Sequence, residues 1–299
     1  MKKFTIVIGI IAVVGVLIAL SGLIVYGFDF VALGADFRGS RHYESHAIIL
    51  DDNALPSTLN IDVRGHNVVI RAGEEFGVNL YIHTTRTELD YNFTEYGGEV
   101  SFNIKVRRNF QVELFSFTPA RYNTINIIIP NEFYGDVNLE SRSGNVDISG
   151  INIGGGNIDI DSRSGNVRIT NTTAEEFKIN SQSGNVRVNN SNGIEFLIEV
   201  TSGNVNLNNV KGNEIIVETR SGNVNLNNVE FTIIRTDVRS GNATIRLIGN
   251  QADYRVELSQ RSGNSFLNGR RVSQGVLSNG TEGSVRMISR SGNNRITFV

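Results

Sequence analysis

Six arginines occupy one recurrent place in this sequence, each immediately before a serine: Arg142, Arg163, Arg220, Arg239, Arg261 and Arg290. Gln182 and Thr201 fill the same place in the two remaining copies. A guanidinium presents a planar fork of donors that matches phosphate and carboxylate, so a stripe of arginines can read an anionic polymer such as a teichoic acid or an acidic polysaccharide. These six residues form a candidate anion-binding ladder. A plainer role stands beside it. Two residues earlier come Glu140, Asp161, Asn180, Glu199, Glu218, Asp237, Ser259 and Ile288. On a strand, positions two apart share a face, so the arginines can equally pair with acids in a solvated ladder. Arg261 and Arg290 have no such acid, which puts uncompensated charge toward the C-terminal end.

Other chemistry finds little support. The serines after the arginines recur eight times, and a nucleophile needs one base beside it; no histidine lies in that part of the chain. The histidines are His42, His46, His66 and His83, and only His42 and His46, around Glu44, could make a small metal- or pH-sensitive cluster. The plainer reading there is an exposed linker. Residues 153–159, IGGGNID, resemble one calcium nonapeptide but have no tandem copy. Glycine-rich phosphate loops need a following helix, and the pattern offers none. The expectation is a non-enzyme with no catalytic residue, no metal site and no cofactor.

Composition narrows the field further. Cysteine is absent, which excludes disulfides, thiolate metal sites and a lipid-modified cysteine. With 28 basic and 30 acidic residues, the chain lacks the basic footprint of a nucleic-acid binder. Glycine is frequent at 31 and proline rare at three, which suits many tight turns between strands that need every N–H.

What positions the arginines is a repeat. Ser-Gly-Asn begins at Ser143, Ser164, Ser183, Ser202, Ser221, Ser240, Ser262 and Ser291, at spacings of 19 to 29 and most often 19. Apolar residues recur six and four before each serine, as in Phe177 and Ile179, and three and five after most of them, as in Val186 and Val188. Spacing by two is strand periodicity. Its parity flips across the tripeptide, so Ser-Gly-Asn is a corner between two short strands. The glycines Gly144, Gly165, Gly184, Gly203, Gly222, Gly241, Gly263 and Gly292 supply the backbone freedom the corner needs. A second, looser corner follows, as in Asn208-Asn209-Val210-Lys211-Gly212-Asn213. The pattern predicts an all-β fold: a β-solenoid of about eight coils, stacked about 4.8 Å apart with like positions superposed. The asparagines at the third place should form an amide ladder. An antiparallel meander is the alternative. The apolar alternation runs to Val299, which predicts an unpaired terminal edge and end-on self-association.

The chain is expected to divide into an anchor over residues 1–28, a linker over 29–45, a β-rich cap region over 46–130 and the solenoid over 131–299. Lys2 and Lys3 precede an uncharged run from Phe4 to Phe28. As a helix that run spans about 37 Å, longer than the hydrocarbon core of about 30 Å. It predicts a retained single-pass transmembrane helix with the rest of the chain extracytoplasmic; a signal cleaved near Ala32-Leu33-Gly34 is the alternative.

The alternation that ends in Ile127-Ile128-Ile129-Pro130, followed by residues 137–146, VNLESRSGNV, resembles the bacterial DUF4097 family. That resemblance covers about residues 46–299. It implies a β-helical fold, surface exposure behind one membrane segment, an adhesin-like role and a link in some members to envelope-stress regulation. It carries over no catalytic residue. The partners expected are therefore the membrane, through the N-terminal span, and a cell-wall polymer or a membrane protein, with no nucleic acid. A purely structural self-assembling rod is the third alternative.

Overall fold

The computed structural model describes residues 43–49, 56–74, 76–83, 87–96, 99–108, 124–131 and 133–299. The predicted anchor, and nearly all of the linker, lie outside the described residues. Among the described residues no helix is long and apolar enough to cross a membrane; the one helical turn is the 3-10 segment Gln251–Asp253.

The strands stack in parallel and in the repeat's own register. Ile158 lies opposite Val137 on one side and Phe177 on the other, and Phe177 lies opposite Phe196. Because like stacks on like, the Phe177 and Phe196 rings lie flat against each other, 4.5 Å apart at 6°. The alternation seen in the sequence is the burial pattern: in Glu176–Ser183 every second residue from Phe177 to Ser181 faces the core. A short third side closes the coils whose corners lie at 143 to 221, as where Asn152–Ile153 lies against Thr173–Ala174. It is reached through a column of left-handed asparagines, Asn171, Asn190, Asn209 and Asn228, with φ of 49 to 52°. Asparagine tolerates that conformation, and this is the second corner the sequence predicts.

Among the described residues the stack holds ten coils, and its order departs from the sequence at both ends. We number the coils along the stack. Coil 1 pairs Glu99–Arg108 with Thr124–Pro130, and coil 2 pairs Thr58–Arg64 with Asn67–Gly73. Coils 3 to 8 carry the Ser-Gly-Asn corners at 143, 164, 183, 202, 221 and 240 in order. Coil 9 is the C-terminal segment, Gly283–Ser291 with Asn294–Phe298, and coil 10 is the earlier Tyr254–Ser262 with Ser265–Leu267. At each end, then, the chain lays down a terminal coil out of turn and fills the adjoining position separately. Part of the predicted cap region, 46–130, thus forms two full coils.

The 262 and 291 corners exchange places along the stack. One expectation needs correction. The last strand was expected to be an open edge. Asn294–Phe298 instead lies between Ala243–Leu247 and Ser265–Leu267, paired to both. The outer edges are covered by antiparallel strands: Thr87–Tyr96 and Gly77–His83 at one end, Gly275–Asn279 and Arg270–Val272 at the other. Reversing strand direction ends the parallel template, one of the ways proteins blunt a sheet edge. Tyr254 helps pin the C-terminal excursion. Its hydroxyl donates to the Phe231 carbonyl at 3.0 Å, and burial, with Asp253 next, raises its pKa.

The core is a single run of stacked Val, Ile, Leu and Phe crossed by a polar seam. Ser141, Ser162 and Ser181 superpose inside coils 3, 4 and 5, and their hydroxyls are buried without a hydrogen-bond partner. Val200 and Val238 occupy the same inward column in coils 6 and 8 and are fully buried. Replacing a buried unsatisfied hydroxyl by a group the column already accepts removes a desolvation cost. Ser162→Val is expected to raise stability by about 1 kcal/mol, read from the denaturation midpoint at unchanged m-value. A loss of stability would show that the seam has hydrogen-bonding work inside the stack.

Candidate functional site

The arginine column is built by the corner beneath it. All eight Ser-Gly-Asn glycines have φ between 128 and 149°. In each case the space a Cβ would need is taken by the preceding coil's backbone; at Gly222 it would lie 1.8 Å from the Gly203 carbonyl oxygen. The corners therefore touch backbone to backbone. The asparagine that follows bridges coils. The Asn166 side-chain oxygen accepts from the Asn185 backbone N–H at 3.0 Å and from the Asn185 side-chain amide at 3.1 Å. The backbone half of this bond recurs from Asn67 in coil 2 to Asn264 in coil 10. The predicted amide ladder is present, and it also satisfies a main-chain donor in each coil. An asparagine serves because it both accepts and donates; an aspartate would stack one uncompensated charge per coil.

With the corners fixed, the residue before each serine must point outward on the rim of the sheet. Arg142, Arg163, Arg220, Arg239, Arg261 and Arg290 are all exposed, as are Gln182 and Thr201. The stack adds two members. Arg64 lies opposite Arg107, and the Arg142 N–H donates to Val63, which puts Arg64 next in line. Along the stack the column reads Arg107, Arg64, Arg142, Arg163, Gln182, Thr201, Arg220, Arg239, Arg290, Arg261. Two groups of four arginines flank two uncharged coils. Arg261 and Arg290, 29 residues apart in sequence, are neighbours in space.

Sequence reasoning missed Arg64 because Arg64-Gly65-His66-Asn67 is not Ser-Gly-Asn. The flanks carried the signal. Leu59, Ile61, Val68 and Ile70 stand at the same offsets from Gly65 as the apolar residues do from each serine. Arg107 had no such signal beyond Phe102 and Ile104. Of the histidines, His66 is buried at this first corner; the side chains of the His42–Glu44–His46 cluster lie outside the described residues.

None of the six predicted arginines ion-pairs with a described carboxylate. The pairs that form use other columns: Lys178 with Asp159 at 2.8 Å, Lys211 with Glu230 at 2.8 Å, Arg235 with Glu214 at 2.6 Å and Arg286 with Glu257 at 3.7 Å. The hydrogen bond to Asp159 raises the Lys178 pKa. At the coil 1 end the arginines are partly compensated. Arg64 and Arg107 each approach Asp62 to 3.9 Å. Beside them runs a groove of about 380 Å³ lined by Asp62, Glu140, Asp159 and Asp161 together with Asn60 and Asn138. The C-terminal end differs. Residues 239–299 hold nine arginines, no lysine and three acids, a formal +6 in a chain of −2 overall, leaving −8 for residues 1–238.

Comparison with known proteins agrees with this architecture. The Toastrack DUF4097 family profile matches residues 57–297. The crystal structure of a protein from Bacteroides fragilis, titled a candidate adhesin, superposes with a TM-score of 0.52 at 12% identity, covering 87% of this chain and 99% of that one. Similarly titled structures from Parabacteroides distasonis and Parabacteroides merdae give TM-scores of 0.48 and 0.47 at 13% and 12% identity. They cover 86% and 87% of this chain, and 98% of each of those chains. No curated protein matches.

Proposed function

The chain belongs to the Toastrack DUF4097 family, and from that membership and the arginine column we propose that it is a binding module of the bacterial cell envelope, held at the membrane by its N-terminal segment and contacting anionic envelope polymer. The Bacteroides fragilis protein is described as a candidate adhesin, which supports a binding role for this fold. The observation that carries the reading is the column itself. Exposed arginines superpose at one coil's spacing on corners that touch backbone to backbone, and among the described residues the six of the Ser-Gly-Asn coils form no ion pair. A ligand with repeating charge meets repeating donors at a spacing of about 4.8 Å. Rigid presentation lowers the entropic cost of binding.

The full chain should bind isolated bacterial cell wall in a pull-down, and binding should fall with added salt as exposed charges are screened. Changing Arg220, Arg239, Arg261 and Arg290 to Gln should abolish it. Wild-type protein that stays in the supernatant at low salt would sink the reading. Binding untouched by both salt and the substitutions would move the contact off the arginines.

A further inference from the structure

The two arginine groups differ in what surrounds them, and the difference points to one end. Around Arg64, Arg142 and Arg163 the neighbouring outward columns carry Asp62, Glu140, Asp159 and Asp161 against Lys105 and Lys178. In coils 8 to 10 the column of Glu140 and Asp161 holds Asp237, Ile288 and Ser259, and the column of Asp159 holds Arg235, Arg286 and Glu257, so the acidic excess is gone. Across the corner, the second face adds more arginine. Arg295 lies over the Phe266 ring at 5.0 Å from its centroid, and Arg271 is paired to the far side of Phe266. Both arginines are exposed, and neither ion-pairs with a described carboxylate.

The terminal corner also offers a main-chain donor. Each corner glycine N–H donates to the serine carbonyl of the next coil, as Gly241 does to Ser291 and Gly292 to Ser262. Gly263 belongs to the last coil and has no serine beyond it. Its N–H finds no acceptor among the described residues, and Gly263 is exposed where the other seven corner glycines are half-buried. A main-chain donor without an acceptor among the described residues, on an exposed glycine two residues after Arg261 and one coil from Arg290, is an anion site by composition.

We propose that the corner of coils 9 and 10 binds the terminal phosphate of a linear phosphate polymer, through Arg261, Arg290 and the Gly263 N–H, with the chain continuing along Arg239 and Arg220. This rests on the reading of the column as a polymer-binding surface and deepens it. Phosphate is chosen over carboxylate by acceptor count. A terminal phosphate presents three strong acceptor oxygens, enough for two guanidinium forks and one N–H together, where a planar carboxylate has two. The use of arginine without a single lysine across residues 239–299 fits fork recognition rather than diffuse attraction.

The test uses the full chain and two paired variants, Arg261→Gln/Arg290→Gln and, outside the column on the second face, Arg168→Gln/Arg187→Gln. All four positions are exposed, so both variants should fold. Inorganic polyphosphate and polyglutamate are titrated at fixed low salt, with isolated cell wall as the parallel arm. The expected result is polyphosphate binding that the first variant weakens at least about tenfold, each tenfold being one lost charge-assisted contact, and the second leaves within about twofold. Polyglutamate should bind at least about tenfold more weakly than polyphosphate. Equal losses in both variants, or equal affinity for the two polymers, would overturn the phosphate site. Wall binding without polyphosphate binding would overturn it too while leaving the column's role standing. Failure to bind either would remove both.

Discussion

Deleting Gly283–Val299 is expected to unfold far more than the 17 residues removed. In a solenoid stacked in chain order, trimming the last coil peels one layer and exposes the next. Here the last segment is coil 9. It is paired along Gly283–Ser291 to coil 8 on one side and coil 10 on the other, and Asn294–Phe298 is paired likewise. Removing it takes Val285, Met287 and Ile296 out of the core. It also leaves coil 10 and its antiparallel cap with no partner sheet. Three buried apolar side chains at the usual 1.5–3 kcal/mol each amount to about 6 kcal/mol, comparable with a whole domain's stability. Hydrogen exchange reads the difference by position. Amides of Tyr254–Leu267 should lose protection in the truncated protein while those of coils 3 to 6 keep theirs. A peptide of residues 281–299 added in trans should restore protection at Tyr254–Leu267, since the slot it fills has a parallel register on both walls. Protected coil 10 amides in the truncated protein without peptide would show that coil 10 closes directly onto coil 8, and the argument would fail.

The same segment shows where sequence reasoning stops. The repeat revealed which residues lie inside, which corner joins them and which positions superpose, because each of those follows from a local pattern with a fixed period. The 19-residue spacing made Phe177 the neighbour of Phe196. The order of coils is not a local property. The 262 and 291 corners carry nearly the same flanks, and either would pack on coil 8; what decides is the excursion between them. Arg270–Val272 and Gly275–Asn279 lie antiparallel along the outer edge of coil 10. The wider spacings of 22 and 29 were the trace of that excursion. At the other end Gly65 replaced a serine and His66 a glycine, so a search by tripeptide missed a coil that apolar offsets would have found. The site suffered the same way. The column's two outer members and the contact between Arg261 and Arg290 exist only in the stacked order. The alternative of acid pairing was legible; it occurs where Asp62 meets Arg64 and Arg107, and among the described residues it forms at none of the six arginines of the Ser-Gly-Asn corners.

The stack's rigidity is what gives the arginine column a fixed spacing, and Gly222→Ala should expose its source. Gly222 has φ of 146°, a conformation that costs a residue with a Cβ about 1–3 kcal/mol. The added carbon would also sit 1.8 Å from the Gly203 carbonyl oxygen and 2.6 Å from its carbon. Neither is a side chain that can turn away. Coils 6 and 7 must part at the corner, which strains the hydrogen bond from the Gly203 N–H to the Ser221 carbonyl, 2.9 Å, and the Asn204–Asn223 bridge. Overpacking of this kind adds about 1–3 kcal/mol, so the substitution should cost about 4 kcal/mol in all. Gly155→Ala is the matched control. Gly155 lacks the positive φ and has nothing within 4 Å of its would-be Cβ, so its effect should stay within about 0.5 kcal/mol. Denaturant midpoints of the two variants measure the contrast. Similar midpoints would mean that the corners slide apart without cost, and the coil spacing would then not be set by glycine-on-carbonyl contact. A large loss at Gly222 alone would tie the sequence's most regular feature to the spacing at which the arginines meet a ligand: the glycine lets each coil approach until backbone meets backbone, and the arginine two positions before it inherits that distance.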